Sequence, residues 1–148
     1  MLANFDKKFT EDMAKQAEAN GFTTHELITL ASIIEREATG SDKKLVASVF
    51  YNRLNSKRYK YLESCATVQY ILGKHKAKLS ISDTKIENPY NTYRNAGLPP
   101  GPISNPGLSS INAALYPAKT NYLFFALQKD GTHKFTETFE EHQKVTGT

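Results

Sequence analysis

The sequence predicts an α+β fold: a mostly helical single domain that ends in a β-hairpin. Apolar residues recur at helical spacing from Leu27 to Leu54 and again from Leu108 to Leu115. Toward the C-terminus the pattern changes to a continuous apolar run, Tyr122 to Leu127, then a turn and an alternating stretch. With 148 residues, 39% of them hydrophobic, the chain suits one domain with a real core.

Taken in order, Thr10 to Ala19 reads as a polar helix ended by Asn20-Gly21, part of an N-terminal helical extension over residues 1–21. Thr23-Thr24-His25-Glu26 has capping-box spacing ahead of the strongest helical run. Leu27, Leu30, Ala31, Ile34 and Ala38 follow the i, i+3, i+4, i+7 rule, while Ile28 and Ile33 widen the apolar arc, so this helix is expected inside the core. A second helix starts near Ser41-Asp42, carries Leu45, Val46, Val49, Phe50 and Leu54 on one side, and stops at Asn55-Ser56. Cys65 to Leu72 makes a short helix closed by Gly73. Asn105-Pro106 reads as an N-cap with proline at the first helical position, ahead of Leu108, Ile111, Ala114 and Leu115. The last elements are a strand over 122–127, a turn at Asp130-Gly131, and a strand from His133 to Phe139 with Phe135 and Phe139 on one face.

Lysine and arginine total 19 against 15 aspartates and glutamates, giving a formal charge of +4. The lysines are scattered, so a nucleic-acid partner is not expected, whereas an anionic cell-wall polymer or membrane surface is compatible. A single cysteine, Cys65, excludes an internal disulfide and multi-cysteine zinc sites, and its small apolar neighbours predict a buried position. Met1 to Lys8 lacks the apolar core of a signal peptide, and no apolar run approaches the ~20 residues of a membrane span. On that basis the chain is expected to be soluble, as a cytosolic protein or as the excised domain of a longer exported one. Walker, dinucleotide, paired-histidine and nucleophile-elbow motifs are missing from the sequence, so no cofactor or metal is expected. His133 reads either as packing or as a cleft-facing residue.

The chemistry concentrates in two places. Glu35 and Glu37 lie in the most hydrophobic helix, where a carboxylate pressed against apolar groups tends toward the proton-donor form needed of a general acid. On a helical wheel they fall at roughly +80° and −80° from Leu27, with Arg36 between them, so periodicity does not choose. Both can equally flank the core, solvated or paired with Lys43, Lys44 or Arg53. The second place is the stretch from Asn88 to Pro106. Its prolines fix the backbone while asparagines and tyrosines present hydrogen-bonding groups and flat rings, a composition suited to carbohydrate, or else to a loop packed by its own prolines.

Four separated motifs together resemble the catalytic domain of the MltG (YceG-like) endolytic murein transglycosylases. They are Leu30-Ala31-Ser32-Ile33-Ile34-Glu35-Arg36-Glu37, Val46 to Leu54 with Tyr51-Asn52-Arg53, Leu62 to Tyr70, and Asn91-Thr92-Tyr93 with Gly97-Leu98-Pro99-Pro100-Gly101-Pro102-Ile103. The resemblance implies one catalytic domain over 1–148, with the family's membrane anchor and LysM-like domain absent from this chain. It further implies lytic cleavage of the MurNAc-β-1,4-GlcNAc bond within peptidoglycan glycan strands, leaving 1,6-anhydro-muramic ends without a cofactor. Glu35 aligns with the family's acid and base, and Gln69, Asn91, Tyr93 and Asn105 are the implied substrate-binding residues. By the same resemblance, partners include the peptidoglycan synthases of the elongation machinery, and full-length members act at the outer face of the cytoplasmic membrane. Glu37, Glu63 and Asp83 remain possible second carboxylates for a hydrolytic muramidase. A peptidoglycan-binding module without catalysis is the other alternative.

Overall fold

In the computed structural model, residues 10–76 and 78–146 are described. The predicted extension therefore has its residues 1–9 outside the described residues, and the rest of it forms α1 (Glu11–Ala19), capped by the Thr10 hydroxyl accepting from Met13 N–H at 3.2 Å. Asn20 then fixes the end of α1, its Nδ2 donating to Leu115 O at 2.8 Å and to Tyr51 Oη at 3.0 Å.

The capping box forms as read. Thr23 Oγ1 accepts from Glu26 N–H at 3.1 Å and Glu26 Oε1 accepts from Thr23 N–H at 2.9 Å, opening α2 (Thr24–Glu37). Every residue from Leu27 to Ile34 is buried, so the middle of α2 is enclosed on all sides, as its wide apolar arc requires. Its polar groups are satisfied locally: Thr29 Oγ1 donates to His25 O at 2.8 Å and Ser32 Oγ to Thr29 O at 2.6 Å.

Around α2 pack α3 (Lys43–Leu54), α4 (Cys65–Leu72) and α5 (Leu108–Leu115). Leu30, Ile33, Ile34, Phe50, Ile111 and Leu115 make the heart of the core, each worth about 1.5–3 kcal/mol of burial. Gly73 closes α4 with φ of 73°, a left-handed conformation that glycine adopts without a Cβ clash. A two-stranded antiparallel sheet follows, β1 (Phe124–Leu127) against β2 (His133–Thr136), in register Phe124 to Thr136 through Leu127 to His133. The predicted turn is present, with Asp130 Oδ1 accepting from Thr132 N–H at 3.0 Å and Gly131 at φ of 87°.

Tyr51, Asn52 and Arg53 are spent on holding these layers together. Tyr51 Oη donates to Ala114 O, and Asn52 Nδ2 donates to Thr120 O at 2.9 Å and Tyr122 O at 2.8 Å. Arg53 is only 6% exposed; its Nε donates to Leu123 O at 2.6 Å and its Nη1 to Tyr61 O at 2.7 Å and Glu63 Oε2 at 3.1 Å, while the guanidinium lies over the Phe124 ring.

Three element boundaries differ from the sequence reading. The first strand starts at Phe124 rather than Tyr122, because the carbonyls of Thr120 and Tyr122 are taken by Asn52. The second stops at Thr136, and Phe139 opens a further helix, α6 (Phe139–Thr146). Thr138 Oγ1 accepts from Glu141 N–H and Glu141 Oε1 from Thr138 N–H, both at 3.2 Å, the same Thr-x-x-Glu signal that was legible at Thr23. At α5 the cap is Gly107, not Asn105, which stays exposed; the first helical bond runs from Ile111 N–H to Gly107 O at 3.1 Å.

Candidate functional site

Glu35 sits on the last turn of α2 and reaches the start of α5. Its Oε1 accepts from Gly107 N–H at 2.8 Å and from the buried Ser110 hydroxyl at 3.0 Å. Lys43 Nζ, bonded to Ser109 Oγ at 2.7 Å, stands 3.9 Å from Oε2. The side chain is 32% exposed, so the carboxylate is held from three directions and still reaches the surface. Gly107 leaves room for that approach, since a Cβ there would lie 3.3 Å from Oε1 and push the carboxylate aside by a few tenths of an ångström.

Glu37 is directed elsewhere. Its Oε1 accepts from Ser64 Oγ and from Ala66 N–H, each at 2.8 Å. Ser64, the capping residue of α4, makes no side-chain cap bond of its own, so a carboxylate from another helix supplies the cap where its charge favours the helix dipole. The two glutamates that the wheel left equivalent therefore meet different neighbours. Glu35 faces α5 and Glu37 organises α4.

The stretch from Asn88 to Pro106 contains no regular helix or strand, and three of its four asparagines hold its shape. Asn91 is fully buried; its Nδ2 donates to Thr84 O at 3.1 Å and Ile86 O at 2.8 Å, and its Oδ1 accepts from Tyr93 N–H at 3.0 Å. Asn88 Oδ1 accepts from Tyr90 N–H, and Asn95 Nδ2 donates to the carbonyls of Asn88 and Asn91. Farther on, Ile103 N–H donates to Ser32 Oγ at 3.0 Å and Ser104 Oγ to Ser32 O at 3.0 Å, fastening the loop to the middle of α2. The Leu62-Glu63-Ser64 segment clasps the same loop: Ser64 N–H donates to Thr92 Oγ1 at 2.9 Å, and Glu63 takes a left-handed φ of 51°.

Tyr93, presented by Asn91, is half-buried with its Oη 3.2 Å from Cys65 Sγ. Burial raises the phenol pKa well above its ordinary range, reinforced by Cys65, Glu63 and Glu37, so the hydroxyl stays neutral. Cys65 itself is exposed, contrary to the burial its neighbours in sequence suggested, because it occupies the first position of α4 on the side facing Tyr93. The protein packed around it nonetheless raises its thiol pKa, an effect that Tyr93 offsets in part and Glu37 adds to.

Gln69, on α4, donates from Nε2 to Lys76 O at 2.9 Å and lines a groove of about 380 Å³ together with Arg36, Tyr70 and Lys74. Asn105 is exposed, two residues before the Gly107 that meets Glu35. Thus Gln69 and Tyr93 belong to the α4 side and Asn105 to chain that leads into the Glu35 contact, while Asn91 works from beneath the loop. His133 is packing: its side chain is 5% exposed, Nδ1 lies 2.8 Å from Asp42 Oδ2, and the ring meets Phe125 edge-on at 4.9 Å. Sequence reasoning named Lys43 among the possible partners of the two glutamates but missed Gly107 and Ser110. A glycine directly before a helix was the available signal, because its N–H is one of the amides a helix start leaves for an acceptor.

The chain matches the YceG-like family over residues 1–147. It is 47% identical over 138 residues to a Bacillus subtilis strain 168 protein named endolytic murein transglycosylase, an alignment covering 93% of this chain and 38% of that protein. A protein of the same name from Streptococcus pneumoniae serotype 2 strain D39 is 36% identical over 151 residues, covering 97% of this chain and 27% of its own length. A crystal structure of a yceG-like protein from Listeria monocytogenes superposes with a TM-score of 0.83 at 47% identity, over 90% of this chain and 44% of that one. This chain thus spans less than half the length of each of these proteins. The match along nearly the whole sequence, together with the shared fold, means that the chain belongs to the YceG-like family.

Proposed function

We propose that this domain is an endolytic peptidoglycan lytic transglycosylase in which Glu35 acts first as acid and then as base. Protonated Glu35 donates to the glycosidic oxygen as the bond from muramic C1 breaks. The resulting carboxylate takes the proton of the muramic C6 hydroxyl while that oxygen attacks C1, closing the 1,6-anhydro ring. The leaving N-acetylglucosamine keeps the first proton, Glu35 regains the second, and no water is consumed.

The observation that carries this reading is the setting of Glu35. Backbone and hydroxyl donors from α5 orient one oxygen of a carboxylate that remains accessible, the arrangement a proton-transferring group requires. The rival hydrolase needs a second carboxylate to activate water. Glu37 caps α4, Glu63 pairs with Arg53 at 3.1 Å, and Asp83 pairs with Lys76 at 2.6 Å, so each alternative has a structural task. Gln69, Tyr93 and Asn105 are proposed to touch the glycan, with the neutral Tyr93 ring offering a face for a sugar, and Asn91 to position Tyr93. Among the described residues no helix is long and apolar enough to cross a membrane. Action at the outer membrane face beside the wall synthases is part of the same proposal, carried over from the full-length members of the family.

Incubating purified glycan strands with the domain and identifying the new ends by mass spectrometry tests it. Anhydro-muramic ends support the proposal, ordinary reducing ends point to the muramidase, and glycan binding without any cutting points to a binding module.

A further inference from the structure

Apart from Gln69, the groove beside α4 is lined by residues that the glycan-cleaving reading does not use. Arg36 forms its edge at the end of α2, Gln69 and Tyr70 its α4 wall, and Lys74 and His75 the return of the chain after the helix, with Ile103 also lining it. The left-handed turn at Gly73 redirects the backbone there, and the bond from Gln69 Nε2 to Lys76 O holds the returning segment against the helix. Three basic side chains thus line one concavity, and no carboxylate lines it. Among the described residues, most lysines and arginines take part in no ion pair, and Arg36, Lys74 and His75 are among the basic residues in none; what sets these three apart is that they share one concavity. Tyr70 is 48% exposed and leans on Tyr90 with ring centres 5.1 Å apart, adding a flat wall.

We propose that this groove is a subsite for the carboxylates of the peptide stem carried by muramic acid. The inference rests on the proposed function and deepens it. A strand cut at muramic C1 carries its peptide on the lactyl group at C3 of the same ring, so the stem leaves the sugar within a few bonds of the reacting carbon. Arg36 lies between Glu35 and Glu37 in sequence, so the groove begins at the helical turn bearing the proposed acid. Stem peptides contain free carboxylates, and guanidinium binds carboxylate through paired donors while lysine supplies a point charge. Glycan hydroxyls alone give no reason for three unpaired basic groups in one groove.

The test compares the wild type with the double variant Arg36→Gln/Lys74→Gln, both positions being exposed, on strands with intact stems and on strands stripped of stems by an amidase. The inference expects KM on intact strands to rise about fivefold to tenfold, as for two surface charge pairs, with the difference shrinking at high salt and no change on stripped strands. Equal effects on both substrates, or none on either, overturn it. Binding is measured separately by calorimetry, using the Glu35→Gln protein with and without the two groove substitutions. The probe is a soluble disaccharide-peptide with free or amidated carboxylates. Weaker binding on amidation and on groove substitution supports the subsite even if no strand is ever cut, in which case the proposed reaction fails alone. Unmeasurable binding, or binding indifferent to both changes, refutes the subsite while leaving the cleavage assay to judge the reaction.

Discussion

The two glutamates of α2 offer a sharp experiment, because the proposed reaction gives them opposite sensitivities. In Glu35→Gln the amide oxygen still accepts from Gly107 N–H and Ser110 Oγ. What is lost is the 3.9 Å approach to Lys43, between side chains 26% and 32% exposed, so the stability change stays within about 1 kcal/mol. The titrating proton disappears, and cutting falls by at least about a hundredfold, the usual contribution of a positioned acid and base. Glu37→Gln likewise keeps an acceptor for Ala66 N–H and Ser64 Oγ and loses only the charge at the helix start, about 0.5–1 kcal/mol, with cutting retained. Glu37→Ala removes both bonds and strands an amide and a hydroxyl on residues 5% and 2% exposed, costing about 2–4 kcal/mol. For a chain of this size that is a Tm lower by about 8–15 °C. Calorimetry and mass spectrometry of the cut ends read the two axes separately. A folded Glu37→Gln that no longer cuts, beside a Glu35→Gln that does, refutes the assignment.

Gly107→Ala places a methyl 3.3 Å from Glu35 Oε1 on an extended backbone that tolerates it, so the protein folds and kcat drops about threefold to tenfold as the carboxylate shifts. Arg53→Lys keeps the charge but loses the fork that serves Leu123 O, Tyr61 O and Glu63 together; urea titration is expected to show a loss of about 2–4 kcal/mol. His142, stacked on Phe124 at 4.9 Å with a buried, unpartnered Nδ1, has its pKa lowered first by burial and then by Arg53. The unfolded chain therefore binds the proton more readily, so the contribution of His142 to stability is full above its ordinary pKa of 6.5 and is lost as pH falls below it. His142→Phe keeps the stack and removes the titration. Its stability should fall less than that of the wild type between about pH 7 and pH 5 in thermal melts, and an unchanged slope contradicts this account.

Gly107→Ala and Glu35→Gln act on one contact from its two ends, 72 residues apart in sequence. That separation explains why periodicity located the helix but not the environment of its carboxylates. Similarly, three of the asparagines that looked like ligands are the loop's own fasteners, because irregular backbone lacks ladder partners and must find them in side chains.

The local elements are written in short stretches of sequence. Capping at Thr23, burial of α2 from the width of its apolar arc, the stop at Gly73 and the hairpin turn at Asp130-Gly131 all follow from interactions within a few residues. Helix α6 also carries its local signal, at Thr138 and Glu141, although Phe135 and Phe139 fit alternating strand positions as well. Which glutamate meets α5 and which caps α4 emerges only when the helices pack. The same packing exposes Cys65 beside Tyr93, buries Asn91, and gathers Arg36, Lys74 and His75 around one groove. Local order follows from spacing along the chain, whereas the surroundings of a charge depend on segments brought together by burial of a shared core, and no short window of sequence contains them.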